Sequence, residues 1–124
     1  MMQEIWRLDG SRTRSLSAEN PTGAKGAGGA ATTGTGAWAA RKLGVGWKVS
    51  PSIELAAGAT ATLADVAGPA VFRHFWLTTE SQLLGKLQLR MYWDDEAQPS
   101  VDVPLGAFFC NNLGPVALLN SQLV

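Results

Sequence analysis

The chain has 124 residues, enough for one domain that buries about two-thirds of its unfolded surface. Ten Lys/Arg offset ten Asp/Glu, so no net field draws in nucleic acid, and the single Cys110 and single His74 exclude an internal disulfide and a His-rich metal centre. No apolar run approaches the ~18 residues of a membrane span, and the N-terminus lacks a signal-peptide layout, which leaves a cytoplasmic protein as the expectation.

Charge is uneven along the chain. Residues 1–48 carry seven Lys/Arg against three acids, and residues 49–124 carry three against seven. Opposite signs favour contact between copies; ordinary surface scatter gives the same counts.

The stretch "SAENPTGAKGAGGAATTGTGAW" over 17–38 is rich in Gly and poor in large apolar side chains. A Walker loop needs Lys then Ser/Thr opening a helix, whereas Lys25 is followed by Gly26 with no helical pattern beyond it. Gly26, Gly28 and Ala31 fit G-x-G-x-x-A, but "SRTRSLSAEN" upstream is too polar for the buried strand which that motif requires. Asn20 before Pro21 is pushed toward extended geometry, and Thr22-Gly23 supplies a turn, so residues 19–25 read as a shaped loop. Residues 27–37 read as flexible coil.

From residue 47 the apolar period becomes two. In "WKVSPSIEL", Trp47, Val49, Pro51, Ile53 and Leu55 share a face, and Pro51 marks an edge or bulged strand. Gly58 turns the chain, and "TATLADV" is a β-branched second strand. After Gly68-Pro69, "AVFRHFWLTT" is a third and more fully apolar one. "KLQLRMYWDD" alternates most cleanly, with Leu87, Leu89, Met91 and Trp93 inward. "SVDVPL" alternates again, "PLGAFFC" suits one helical turn opened by Pro104, and "PVALLNSQLV" reads as a last strand.

Short strands at about 8–12-residue spacing with Gly/Pro punctuation indicate an all-β, antiparallel sandwich or barrel. The chain is expected to divide into an N-terminal arm and Gly-rich loop, 1–46, and a partial jelly-roll β-sandwich, 47–124. A jelly roll uses about eight strands and only five or six fit here, so the sandwich is expected to be incomplete, part of a longer chain.

Four blocks in order, "SRTRSLSAENPTGAKGAGG", "LGVGWKVSPSIELAAGATATLADVAGPAVFRHFWLTT", "LRMYWDDEAQPSVDVPLGAFF" and "LLNSQLV", resemble the N-terminal part of domain of unknown function family 2961. That family overlaps glycoside hydrolase family 172, with its difructose-anhydride hydrolases/synthases and α-D-arabinofuranosidases. The resemblance implies the first part of a double jelly roll, a homo-oligomer (trimer or hexamer in the full-length parent), and retaining action on furanosides. Retention needs two carboxyl groups about 5–5.5 Å apart. In the family these are glutamates beyond the segment that matches here, so the resemblance implies no catalytic residue on this chain, which alone is expected to be inactive. The family commonly has "PLGDFFG" where this chain has "PLGAFFC", placing Ala107 for an acid and Cys110 for a glycine, and "NSLP" appears as "NSQL".

Sugar hydroxyls both donate and accept, so donor and acceptor side chains alike suit them. Glu19, Asn20, Thr22 and Lys25 are therefore candidate contacts of a furanoside in a cleft, of this chain or of a neighbouring copy; a purely structural loop is the rival reading. Trp47 is the candidate platform for an apolar sugar face, while Trp76 and Trp93 lie in apolar strands and read as core. Asp94, Asp95 and Glu96 alternate faces, which suits an acidic turn or a cleft rim better than a calcium site. His74 reads as a hydrogen-bonded sheet residue and Cys110 as a small buried one. No cofactor, metal, nucleic acid or membrane partner is expected. The rivals to a hydrolase portion are a carbohydrate-binding β-sandwich module and a structural jelly-roll oligomer.

Overall fold

Strand pairing needs an alternating segment and a second one in register, and the chain meets both conditions between residues 86 and 105. The computed structural model describes residues 10–111 and residue 118. It divides at Val71/Phe72 into two units.

In the second unit, β1 (Gln88–Met91) pairs antiparallel with β2 (Val101–Pro104). Leu89 faces Val103 and Met91 faces Val101 on the more buried side. Arg90 faces Asp102 on the exposed side, where the Arg90 Nε–H meets Asp102 Oδ1 at 3.3 Å and Gln88 Nε2 donates to the same oxygen at 2.6 Å. Such cross-strand pairs fix the register, because a one-residue slip would expose Leu89. A 3₁₀ turn (Ser81–Leu83) leads into β1.

The chain passes from β2 directly into α1 of this unit, Leu105–Phe108, with Pro104 before its first residue. Leu105 and Gly106 are buried. The Leu105 N–H donates to the Leu87 carbonyl at 2.8 Å and the Gly106 N–H to the Leu84 carbonyl at 2.9 Å, so the turn is pinned to the segment that feeds β1. A Cβ on Gly106 would sit 2.7 Å from the Asn111 carbonyl oxygen. Phe75, Phe108 and Phe109 form an aromatic cluster with ring centroids 5.1–6.1 Å apart. Cys110 is exposed with φ +57, not a buried apolar residue: it follows the helical turn in the left-handed conformation that usually takes glycine.

In the first unit, Ser17 and Asn20 exchange backbone hydrogen bonds at 3.0 and 3.1 Å, making a two-residue hairpin. A one-turn helix, Ala37–Ala40, buries Ala40. The Gly-rich segment ahead of it is held and not slack. The Gly36 N–H donates to the Val49 carbonyl at 2.8 Å, the Gly46 N–H to the Gly29 carbonyl at 2.8 Å, and Thr35 Oγ1 meets Ser52 Oγ at 2.7 Å. Glycine is required at residue 36, where a Cβ would collide with the Lys48 carbonyl oxygen.

Among the described residues, strand pairing is confined to β1 and β2, apart from the Ser17–Asn20 bridge. Val49 is buried, but Ile53, Leu55, Leu63, Phe72 and Trp76 remain exposed. These apolar side chains have no covering layer among the described residues. The strand expected over 115–124 lies, Leu118 apart, outside the described residues.

Candidate functional site

Asn20 is the hinge pin of the loop that the sequence singles out. It is 7% exposed; its Nδ2–H donates to the Ala24 carbonyl at 3.1 Å, and the Ala24 N–H donates to its Oδ1 at 3.0 Å. The side chain thus imitates a strand partner and closes 20–24 into a ring. The Gly23 N–H adds a bond to the Asn20 carbonyl at 3.2 Å. Gly23 has φ +64, and a side chain there would come into contact with Arg14 and Leu16, so the run 13–17 lies alongside the loop.

Between these two stretches lies a cleft of about 300 Å³, at the small end of ligand sites. Thr13, Arg14, Ser15 and Ser17 line it from one stretch, and Asn20 and Lys25 from the other. The site therefore joins two of the five residues expected to touch sugar. The other three lie elsewhere. Glu19 Oε1 accepts the Gly29 N–H at 2.9 Å while its Oε2 is buried without a partner among the described residues. Thr22 is exposed outside the cleft lining, and Trp47, 56% exposed, lies off it too. Arg14 and the hydroxyls of 13, 15 and 17 are additions that the sequence reading passed over. Their signal was there: in "TRSLS" the hydroxyl residues recur at every second position, one face of an extended run.

Other candidates resolve into structural roles. Asp94 and Asp95 take φ +47 and +61, and the Glu96 N–H donates to the Trp93 carbonyl at 3.0 Å, the φ signature of a type I′ turn. Glu96 then ties the loop shut, accepting from Ser100 Oγ at 2.9 Å, from the Trp93 N–H at 2.9 Å and from the Ser100 N–H at 3.0 Å. The Ser100 hydroxyl first, and the Trp93 amide next, hold its carboxyl below the ordinary value. The described residues contain no group of three or more His, Cys, Asp or Glu arranged to hold a metal ion. His74 is exposed and without a hydrogen-bond partner among them. Trp76 and Trp93 are 70% and 44% exposed, contrary to a core role, and the guanidinium of Arg41 covers one face of Trp38 at 4.0 Å. A second hollow of about 210 Å³ lies among Leu77, Leu84, Phe109 and Asn111 and has no charged lining.

No helix of the described residues is long and apolar enough to cross a membrane. No curated protein matches the chain. One family model, described as GH172 domain-like, matches residues 48–121, more than half of the sequence. The cleft over 13–28 precedes the matched span.

Proposed function

The chain belongs to the GH172 domain-like family, and from that premise we propose that it is the N-terminal, carbohydrate-contacting portion of a retaining glycoside hydrolase acting on furanosides of the arabinofuranoside or fructofuranoside type. The family match over 48–121 carries this reading. The cleft adds support: hydroxyls, an amide and two cations converge where a single sugar ring fits.

The division of labour follows from the acids. A retaining hydrolase splits the glycosidic bond with one carboxylate as nucleophile and another as acid/base. The best-held carboxylates of this chain already have work: Glu96 closes its loop, Asp102 meets Arg90, and Glu19 holds the Gly29 amide. Binding and orienting the sugar is the task of the residues lining the cleft over 13–28, and bond cleavage belongs to glutamates that the family carries further on. The proposed architecture is an antiparallel jelly-roll sandwich, supported by the β1–β2 pair and the alternation over 47–105.

Calorimetry with a furanose oligosaccharide, paired with a chromogenic α-D-arabinofuranoside assay, tests the reading on the 124-residue chain. Binding without turnover is expected. Hydrolysis by the chain alone would overturn the division of labour, and absence of binding would remove the sugar contact.

A structural role in a homo-oligomer is favoured by a different observation, the exposure of Val71, Phe72 and Trp76 at 78%, 54% and 70%. A defined trimer or hexamer by light scattering, with no sugar affinity, supports that second reading.

A further inference from the structure

The cleft has a sign. Arg14 and Lys25 both line it, and no carboxylate does. Glu19 is the only acid between residues 10 and 53, and it is turned to the Gly29 amide. Lys25 has no ion-pair or hydrogen-bond partner among the described residues. Two cations facing one small cleft raise its potential and leave an anion as the natural counterpart.

The donors suit an oxyanion. Arg14 spends one N–H on the Thr13 carbonyl at 2.9 Å and keeps four. The backbone N–H groups of Gly26 and Gly28, both lining the cleft, donate to nothing among the described residues, and Gly26 has φ +76. Backbone amides beside a guanidinium and an ammonium form the donor set that phosphate and carboxylate oxygens take. A nucleotide fits poorly. No helix starts at Lys25, and no aromatic side chain lines the cleft to stack on a base.

We propose that this cleft binds an acidic sugar, with Lys25 and Arg14 taking the oxygens of its phosphate or carboxylate and Ser15, Ser17 and Asn20 facing its hydroxyls. The proposal rests on the carbohydrate reading above and narrows it to charged sugars. Lys25 is exposed and its side chain holds no element in place, so its substitution tests charge with little effect on fold.

The test is calorimetric titration of the full 124-residue chain with ribose 5-phosphate, galacturonate, ribose and inorganic phosphate, at about 0.01 M and about 0.5 M salt, between which the Debye length falls from about 30 Å to about 4 Å. Ribose 5-phosphate or galacturonate is expected to bind more tightly than ribose, and the tighter of the two names the oxyanion. Lys25→Gln and Arg14→Gln should each weaken that binding about tenfold, as loss of a charge-assisted contact does, while Lys25→Arg retains it. Added salt should weaken it as well. An amide spectrum of each variant that retains the Ala24 and Gly29 resonances verifies the loop. Equal binding of ribose and its phosphate, unmoved by the variants, would overturn the charged-sugar assignment and leave a neutral-sugar cleft standing. Inorganic phosphate binding as tightly as the sugar phosphate would overturn the sugar half of the assignment. No binding by any of the four, with a furanose oligosaccharide still bound, would overturn this cleft as the site; loss of both removes the carbohydrate reading with it.

Discussion

Cys110 occupies a position with φ +57, just past the last helical turn. A side chain there crowds the following carbonyl, at a cost of about 1–2 kcal/mol that glycine avoids. Cys110→Gly is therefore expected to stabilise the second unit by about 1 kcal/mol, read as a higher thermal midpoint. An unchanged or lower midpoint would reject the strain. The "PLGAFFC" motif was legible as a helical turn, but the left-handed residue at its end was not legible in this chain's own "FFC"; the glycine of the related "PLGDFFG" was its one signal. Gly36 shows the same limit. The neighbours that demand a glycine there are the backbone carbonyl of Lys48 and the ring of Pro51, more than ten residues on, which nothing in "GTG" announces. Composition therefore read 27–37 as slack where the structure uses the missing Cβ to bring two backbones together.

At the scale of elements, alternation did well where a partner was near in sequence. "KLQLRMYWDD" and "SVDVPL" became β1 and β2, with the strand ending at Met91 since Asp94 and Asp95 turn the chain. The connecting loop depends on an ionised Glu96, whose folded value lies below the ordinary 4.5. A depressed value means that the ionised form is favoured by folding. Its contribution is thus complete above 4.5 and fades as pH falls through the lower folded value. The amide resonances of Trp93 and Ser100 are expected to titrate with a midpoint under 4.5, and Glu96→Gln to abolish that titration. A midpoint at 4.5 would show that the loop does not hold the carboxylate. The segments 47–55, alternating, 60–66, β-branched, and 70–79, more fully apolar, also read as strands, yet join no sheet among the described residues. Apolar patterning reports which residues seek burial, and it is silent on who supplies the cover.

For the molecule as a whole, that silence becomes a measurable property. Trp76 at 70% exposure lies in a stretch whose composition reads as interior. If copies of the chain assemble through this face, a variant retaining Trp76 as its only tryptophan should be quenched freely by acrylamide when dilute. It should become shielded at the concentration where light scattering registers assembly. Free quenching in both regimes would leave the face without a partner of its own kind. The candidate site was half legible at this scale. Asn20 and Lys25 stood out by residue type, whereas Arg14 and Ser17 needed the Gly23 turn to be brought across to them.

One small relay ties these levels together. Glu19 receives the Gly29 amide, and the Gly29 carbonyl in turn receives the Gly46 amide, so one residue is gripped through both of its flanking peptide units. Glu19→Ala should speed hydrogen exchange at Gly46 as well as at Gly29, though residue 46 never touches the carboxylate. An edit in the opening loop would then be felt at the doorstep of the span that the family model matches, which makes the glycine tract a tether between that loop and the matched segment instead of a spacer.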